Sequence, residues 1–119
     1  MAQITKLESQ EALDAAFTES QDQTVVLFKH SLICPTSSRA FDVFQSFVSD
    51  QLDERASFKL IEIQRQRALS REVEQRTEVK HESPQVLVLQ DGQVIWHDSH
   101  WRITAEALED AVPTAVASS

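Results

Sequence analysis

Cys34 is the only cysteine in this 119-residue chain, and Pro35 follows it directly. Proline is favoured in the first turn of a helix, so the pair predicts that Cys34 stands at a helix N-terminus. The free backbone N–H groups and the partial positive charge of such a terminus favour a thiolate over a thiol. The neighbouring Thr36 and Ser37 are polar, which favours a reactive Cys34 over the alternative, a buried cysteine that packs as a small apolar side chain.

Ser37 stands where a C-x-x-C motif would carry its second cysteine. A serine hydroxyl can donate a hydrogen bond to the Cys34 thiolate but cannot attack a disulfide, so a mixed disulfide on Cys34 must wait for an external thiol. The spacing therefore predicts monothiol chemistry. Lys29, His30 and His81 are candidates for electrostatic or substrate contacts, but the sequence offers no sign of the orienting partner that a Cys-His protease dyad needs.

Composition and motif content argue against several other classes of function. The formal net charge of -8 argues against nucleic acid as a partner, because phosphate binding needs a basic surface. Gly92 is the only glycine, which excludes glycine-rich phosphate loops. The chain shows neither an apolar run of roughly 20 residues nor a secretory signal, so we expect a cytoplasmic protein that is not held in a membrane. The spacing of His97 and His100 is not a metal signature, and no metal or bound cofactor is expected.

Apolar periodicity and turn residues predict four helices and four strands. Helices are expected from Ser9 to about Thr18, from Cys34 to about Leu52, around Ala68 to Val73 and from Thr104 to Pro113, and strands at Thr24–Lys29, Phe58–Ile63, Gln85–Leu89 and Gln93–Asp98. The first two strands should be parallel, and Asp91-Gly92 should join the last two as a hairpin. Residues 1–113 are thus predicted to form one α/β domain with the element order of the thioredoxin fold. It would be a four-stranded mixed sheet flanked by helices, with a flexible tail at 114–119.

Pro84 directly precedes the third predicted strand. In thioredoxin-like proteins a cis-proline begins this strand and lies against the reactive cysteine. An isolated proline at a strand start is usually trans, but the order of elements reverses that expectation here. We therefore predict a cis bond between Ser83 and Pro84, with both residues shaping the edge of the site beside Cys34.

These motifs together resemble those of the monothiol bacilliredoxins, the YtxJ-like thioredoxin-fold family of the bacterial bacillithiol system. The resemblance covers nearly the whole chain. Its most specific parts are Phe28-Lys29-His30-Ser31, Cys34-Pro35 with Ser37, and Val79-Lys80-His81-Glu82-Ser83-Pro84-Gln85. The chain departs from the family at three positions: Ile33 replaces the usual threonine, Thr36 the usual isoleucine, and Glu78 a common glycine. The first two departures flank the nucleophile and affect its choice of partner or its reactivity, but they leave the nucleophile in place.

The resemblance implies that Cys34 attacks the bacillithiol sulfur of a protein mixed disulfide, releases the client protein and becomes bacillithiolated. It also implies bacillithiol as the thiol co-substrate that restores Cys34, and a separate reductase that maintains the thiol pool. The partners would be bacillithiolated client proteins. Ser37 would assist the thiolate, and Ser83 and Pro84 would offer backbone groups to a bound thiol or peptide. An alternative stays open: a thioredoxin-fold sensor or binding protein whose Cys34 is a regulatory thiolation site without turnover.

Overall fold

The computed structural model describes residues 3–50 and 56–113 of the chain. In order, these residues form β1 (Ile4–Lys6), α1 (Gln10–Glu19), β2 (Thr24–His30), α2 (Pro35–Ser49), β3 (Ala56–Glu62), α3 (Arg67–Thr77), β4 (Gln85–Gln90), β5 (Gln93–Ser99), a 3-10 turn (His100–Arg102) and α4 (Ala105–Ala111). The predicted continuation of the second helix to Leu52 and the predicted tail at 114–119 lie outside the described residues.

The strands of the described residues form one sheet in the order β1-β3-β2-β4-β5. β1 and β2 run parallel to β3, whereas β4 is antiparallel to β2 and β5 is antiparallel to β4. The predicted parallel pair and the predicted hairpin are both confirmed. The hairpin turns at Asp91 and Gly92, whose φ angles of 53° and 74° suit a tight two-residue connection.

The prediction of four strands is wrong, because β1 adds a fifth strand at the edge of the sheet. Ile4 pairs with Phe58, and the backbone N–H of Leu7 donates to the carbonyl of Leu60 at 2.8 Å. A three-residue strand is too short to show an alternating apolar pattern of its own. It forms because the outer edge of β3 presents backbone donors and acceptors that another strand can pair with.

The helices cover both faces of the sheet. On one face α2 and α4 pack their apolar residues, including Phe44, Phe47 and Leu108, against alternate residues of β2 and β4. On the other face α1 and α3 pack Leu13 and Val73 against the intervening residues of the same strands. All seven residues of β2 are buried, as expected for the central strand of a sheet covered on both sides.

Local capping fixes where the first and last helices begin. The hydroxyl of Ser9 accepts a hydrogen bond from the Ala12 N–H, and that of Thr104 accepts one from the Ala107 N–H. Both caps were predicted from the sequence, because the motif needs only residues that are close along the chain. Within the described ranges, none of the helices has the length and apolar character that crossing a membrane requires.

Candidate active site

Cys34 occupies the N-cap position of α2, and Pro35 is the first residue of that helix. The Cys34 backbone is extended, with φ -103° and ψ 121°, and its carbonyl accepts the first helical hydrogen bond from the Ser38 N–H at 3.0 Å. The thiol is free and half-buried, and it makes no capping hydrogen bond. The N–H groups of Thr36 and Ser37 belong to the first helical turn, where backbone donors have no partner within the helix. The sulfur is thus joined to the end of α2 that stabilises negative charge.

Ser37 is fully buried, and its hydroxyl makes hydrogen bonds to the end of β2 and to the loop that joins β2 to Cys34. Its Oγ accepts a hydrogen bond from the Ser31 N–H at 2.8 Å and lies 2.8 Å from Nδ1 of His30. The His30 ring stacks on Phe41, with ring centroids 4.6 Å apart. Burial lowers the pKa of His30, and nearby carboxylates oppose this effect. The neutral ring can accept a hydrogen bond from the Ser37 hydroxyl at Nδ1. The predicted hydrogen bond from Ser37 to the Cys34 thiolate is not among the contacts of the described residues and stays a prediction.

Gln64 holds the same loop from the opposite side. It lies in the turn that follows β3, and its side-chain Oε1 accepts a hydrogen bond from the Leu32 N–H at 2.8 Å. Its Nε2 donates to the Ser31 hydroxyl at 2.9 Å. The sequence analysis did not single out Gln64, because a single glutamine between Ile63 and Arg65 carries no motif. Only the parallel pairing of β2 with β3 brings it to the Cys34 loop.

Pro84 lies at the end of the sheet from which the Cys34 loop leaves. Gln85, which follows it, pairs with Lys29 near the carboxyl end of β2. The bond between Ser83 and Pro84 is cis, as predicted from the sequence. The Pro84 carbonyl accepts a hydrogen bond from the His100 N–H at 3.1 Å, which joins this edge to the 3-10 turn. Among the described residues, the buried Ser83 hydroxyl has no hydrogen-bond partner.

Lys29 points to the face of the sheet opposite the one that His30 faces, because neighbouring residues of a strand alternate. Its side chain is fully buried, and its Nζ lies 3.2 Å from Nδ1 of His81. Burial lowers the pKa of Lys29 to about 8, although the Glu74 carboxylate favours the charged form. Burial and the Lys29 charge lower the pKa of His81, so its Nδ1 can accept from the ammonium group. Glu74 also accepts a hydrogen bond from the His81 N–H at 2.8 Å. Lys29 in β2 and His81 in the loop before Pro84 are thus hydrogen-bond partners.

Two large apolar side chains are exposed, one in the loop before α2 and one in the 3-10 turn. Ile33, directly before Cys34, is 82% exposed, and Trp101, in the 3-10 turn, is 67% exposed. Arg39 of α2 lies over the Trp101 ring at 4.7 Å and donates hydrogen bonds to the carbonyls of His100 and Ile103. Arg39 thus ties the helix that begins at Cys34 to the edge that contains Pro84. Within the described ranges, no group of three His, Cys, Asp or Glu side chains could hold a metal ion.

This arrangement suits nucleophilic attack on a disulfide. A free thiol stands at a helix N-terminus, and a cis-proline edge lies at the same end of the sheet. The model of the monothiol bacilliredoxin BrxC family matches residues 5–108.

The chain belongs to the monothiol bacilliredoxin family. The family suggested by the sequence motifs is confirmed, and membership supports a thiol-redox function for this bacilliredoxin. Cys34 and the Ser83-Pro84 pair both lie inside the matched range.

Solved structures share the fold of this chain. One described as a candidate oxidoreductase with a thioredoxin fold is 30% identical, with a TM-score of 0.80, and the match covers 91% of this chain and 92% of that one. The thioredoxin of Malassezia sympodialis is 15% identical, with a TM-score of 0.77 and coverage of 94% and 90%. A thioredoxin of Nicotiana alata is 14% identical, with a TM-score of 0.73 and coverage of 92% and 89%. The two thioredoxins show the shared fold alone.

Proposed function

We propose that this bacilliredoxin is a monothiol thiol–disulfide oxidoreductase that removes bacillithiol from protein mixed disulfides through Cys34. The observation that carries the proposal is the position of the single thiol at the N-terminus of α2, in a chain of the monothiol bacilliredoxin family. A thiolate there is the nucleophile that disulfide exchange requires. Pro84 lies at the same end of the sheet and offers an edge against which a disulfide can lie.

The reaction has two exchange steps. In the first, the Cys34 thiolate attacks the bacillithiol sulfur of the mixed disulfide, and the client protein leaves as a thiolate. Cys34 then carries bacillithiol in a new disulfide. In the second, the thiolate of a free bacillithiol attacks the bacillithiol sulfur of this adduct, which releases oxidised bacillithiol and restores the Cys34 thiolate. Cys34 therefore undergoes no net change. A separate reductase converts oxidised bacillithiol back to the thiol.

Ser37 leaves the second step to an external thiol, because a hydroxyl cannot attack the disulfide sulfur. We place the reaction in the cytoplasm, where thiols are kept reduced and a bacillithiol pool can serve as co-substrate. The enzyme needs no bound cofactor for this exchange, since the electrons pass between sulfur atoms. The partners are bacillithiolated client proteins, and the exposed Ile33 beside Cys34 provides apolar surface for contact with them.

The test is intact mass measurement of the protein after incubation with a bacillithiolated client. The wild type should gain one bacillithiol as the client loses one, and Cys34→Ser should gain none. When free bacillithiol and a system that reduces its disulfide are added, each enzyme molecule should remove bacillithiol from many client molecules. Formation of the adduct without repeated turnover would instead support the alternative of a regulatory thiolation site. An unmodified wild type beside an unchanged client would rule out both.

A further inference from the structure

The loop between β2 and α2 contains four residues, and the last of them is the nucleophile: Ser31, Leu32, Ile33 and Cys34. Apolar packing does little to hold its outer part, since Leu32 is 40% exposed and Ile33 is 82% exposed. Hydrogen bonds must therefore fix its path. Cys34 is anchored on its C-terminal side by the first hydrogen bond of α2, but its φ angle depends on where the preceding residue is held.

Gln64 supplies two of the hydrogen bonds that fix the path of this loop. Both ends of its side-chain amide are used, since Oε1 accepts from the Leu32 N–H at 2.8 Å and Nε2 donates to the Ser31 hydroxyl at 2.9 Å. The Gln64 backbone is itself fixed, because the neighbouring Ile63 N–H donates to the His30 carbonyl at 3.0 Å and so extends the pairing of β2 with β3. The amide thus joins a rigid part of the sheet to the residue two positions before the thiol.

We propose that Gln64 is a positioning residue for Cys34, a role that rests on the proposed disulfide exchange. By fixing the Leu32 backbone it limits the movement of Cys34 and keeps the thiol at the N-terminus of α2. When the two Gln64 hydrogen bonds are lost, the loop before Cys34 moves more freely and the thiol spends less time in one orientation. The rate of nucleophilic attack by Cys34 therefore falls, while the fold itself is retained.

Two substitutions and a matched control test this role in the full chain. Gln64→Met keeps the length of the side chain and removes both hydrogen bonds. Gln64→Glu keeps an acceptor for the Leu32 N–H, and the Ser31 hydroxyl can reverse to donate to the carboxylate. Gln66→Met changes the same residue type two positions away, at the N-cap of α3, where the side chain makes no capping hydrogen bond.

Two measurements are made on each protein: hydrogen exchange of the Leu32 amide, and the rate at which iodoacetamide alkylates Cys34. Loss of one hydrogen bond of ordinary strength should make the Leu32 amide exchange about tenfold faster in Gln64→Met. Alkylation should slow at least about threefold in the same variant. Gln64→Glu should restore both quantities in about 1 M salt, where screening limits the effect of the added charge. Gln66→Met should match the wild type.

Three results would overturn the role of Gln64. One is an alkylation rate in Gln64→Met equal to that of the wild type despite faster Leu32 exchange, which would show that the Gln64 hydrogen bonds hold the loop without affecting Cys34. The second is equal slowing in Gln66→Met, and the third is failure of Gln64→Glu to restore the rate in high salt. Iodoacetamide needs no bacillithiol, so these results stand apart from the proposed function. A wild type that fails to turn over a bacillithiolated client would count against that function alone.

Discussion

The hydroxyl of Ser37 and Nδ1 of His30 lie 2.8 Å apart beneath the loop that ends at Cys34. The same hydroxyl accepts the Ser31 N–H, so one buried atom joins the end of β2 to the first turn of α2. In this protein the residue that replaces a resolving cysteine therefore has structural partners of its own. It holds the loop on the α2 side, while Gln64 holds it on the side of β3.

Ser37→Ala should destabilise the protein by about 1–3 kcal/mol, because it leaves the buried Ser31 N–H without an acceptor and His30 without its partner. Urea unfolding followed by circular dichroism measures the change in the free energy of unfolding. Ser38→Ala is the matched control, since Ser38 is exposed and should shift that free energy by less than about 0.5 kcal/mol. Equal, small effects of both substitutions would show that the Ser37 contacts contribute nothing to stability.

Ser37→Cys should convert the monothiol site into one that resolves its own mixed disulfide. A thiol at this position lies three residues beyond Cys34 in the first turn of α2, as in a C-x-x-C motif. The bacillithiol adduct on Cys34 should then be short-lived and be replaced by an internal disulfide. Intact mass measured against time after a single addition of oxidised bacillithiol follows both species.

Ser38→Cys provides the control for that experiment, because it adds the same thiol at the neighbouring exposed position of the helix. It should retain the adduct for as long as the wild type does. A persistent adduct on Ser37→Cys would mean that the buried position 37 cannot reach the Cys34 sulfur.

Lys29→Met should remove a rise in stability at alkaline pH. Burial lowers the pKa of Lys29 from 10.5 to about 8 in the folded protein. Between these two values the unfolded chain binds more protons at Lys29 than the folded chain does, so the free energy of unfolding rises with pH. The full rise is about 3.5 kcal/mol at most, since each pKa unit corresponds to about 1.4 kcal/mol.

The measurement is urea unfolding of wild type and Lys29→Met at intervals from pH 7.5 to about pH 10.5. The difference between the two proteins isolates Lys29 from the other groups that titrate in this range. Lys80→Met, which alters an exposed lysine of the same loop as His81, should follow the wild type. Parallel curves for wild type and Lys29→Met would contradict a lowered pKa for the buried ammonium group.

Glu78→Gly should stabilise the protein by about 1 kcal/mol. Glu78 ends α3 in the left-handed conformation, with a φ of 59°, which a side chain disfavours and glycine accepts without penalty. This conformation suits the glycine that the family resemblance implies at this position. Thermal unfolding of Glu78→Gly should show a raised midpoint, whereas Glu78→Ala, which keeps a Cβ, should not. A lower midpoint for the glycine variant would show that the Glu78 side chain makes a contribution larger than its backbone cost.

The sequence by itself was sufficient for features that depend on residues close along the chain. Cys34-Pro35 predicted the start of α2, Ser9 predicted the start of α1, and Asp91-Gly92 predicted the hairpin, because caps and tight turns are built from adjacent backbone groups. The order of elements indicated the fold, and the motifs around Cys34 and Pro84 carried the resemblance to the family. Apolar periodicity also placed the helices and the four longer strands, since each of them buries one stripe or face of its own.

Only the tertiary structure decided which partners those residues meet. Gln64 reaches Leu32 across 32 positions because β2 and β3 are parallel and end at the same edge of the sheet. Lys29 and His30 are neighbours in the sequence, yet the pleat of β2 directs them to opposite faces, where Lys29 meets His81 and His30 meets Ser37. Strand β1 likewise depends on the free edge of β3 and not on any pattern in its own three residues. In each case the deciding interaction joins distant segments, so no local stretch of sequence contains it.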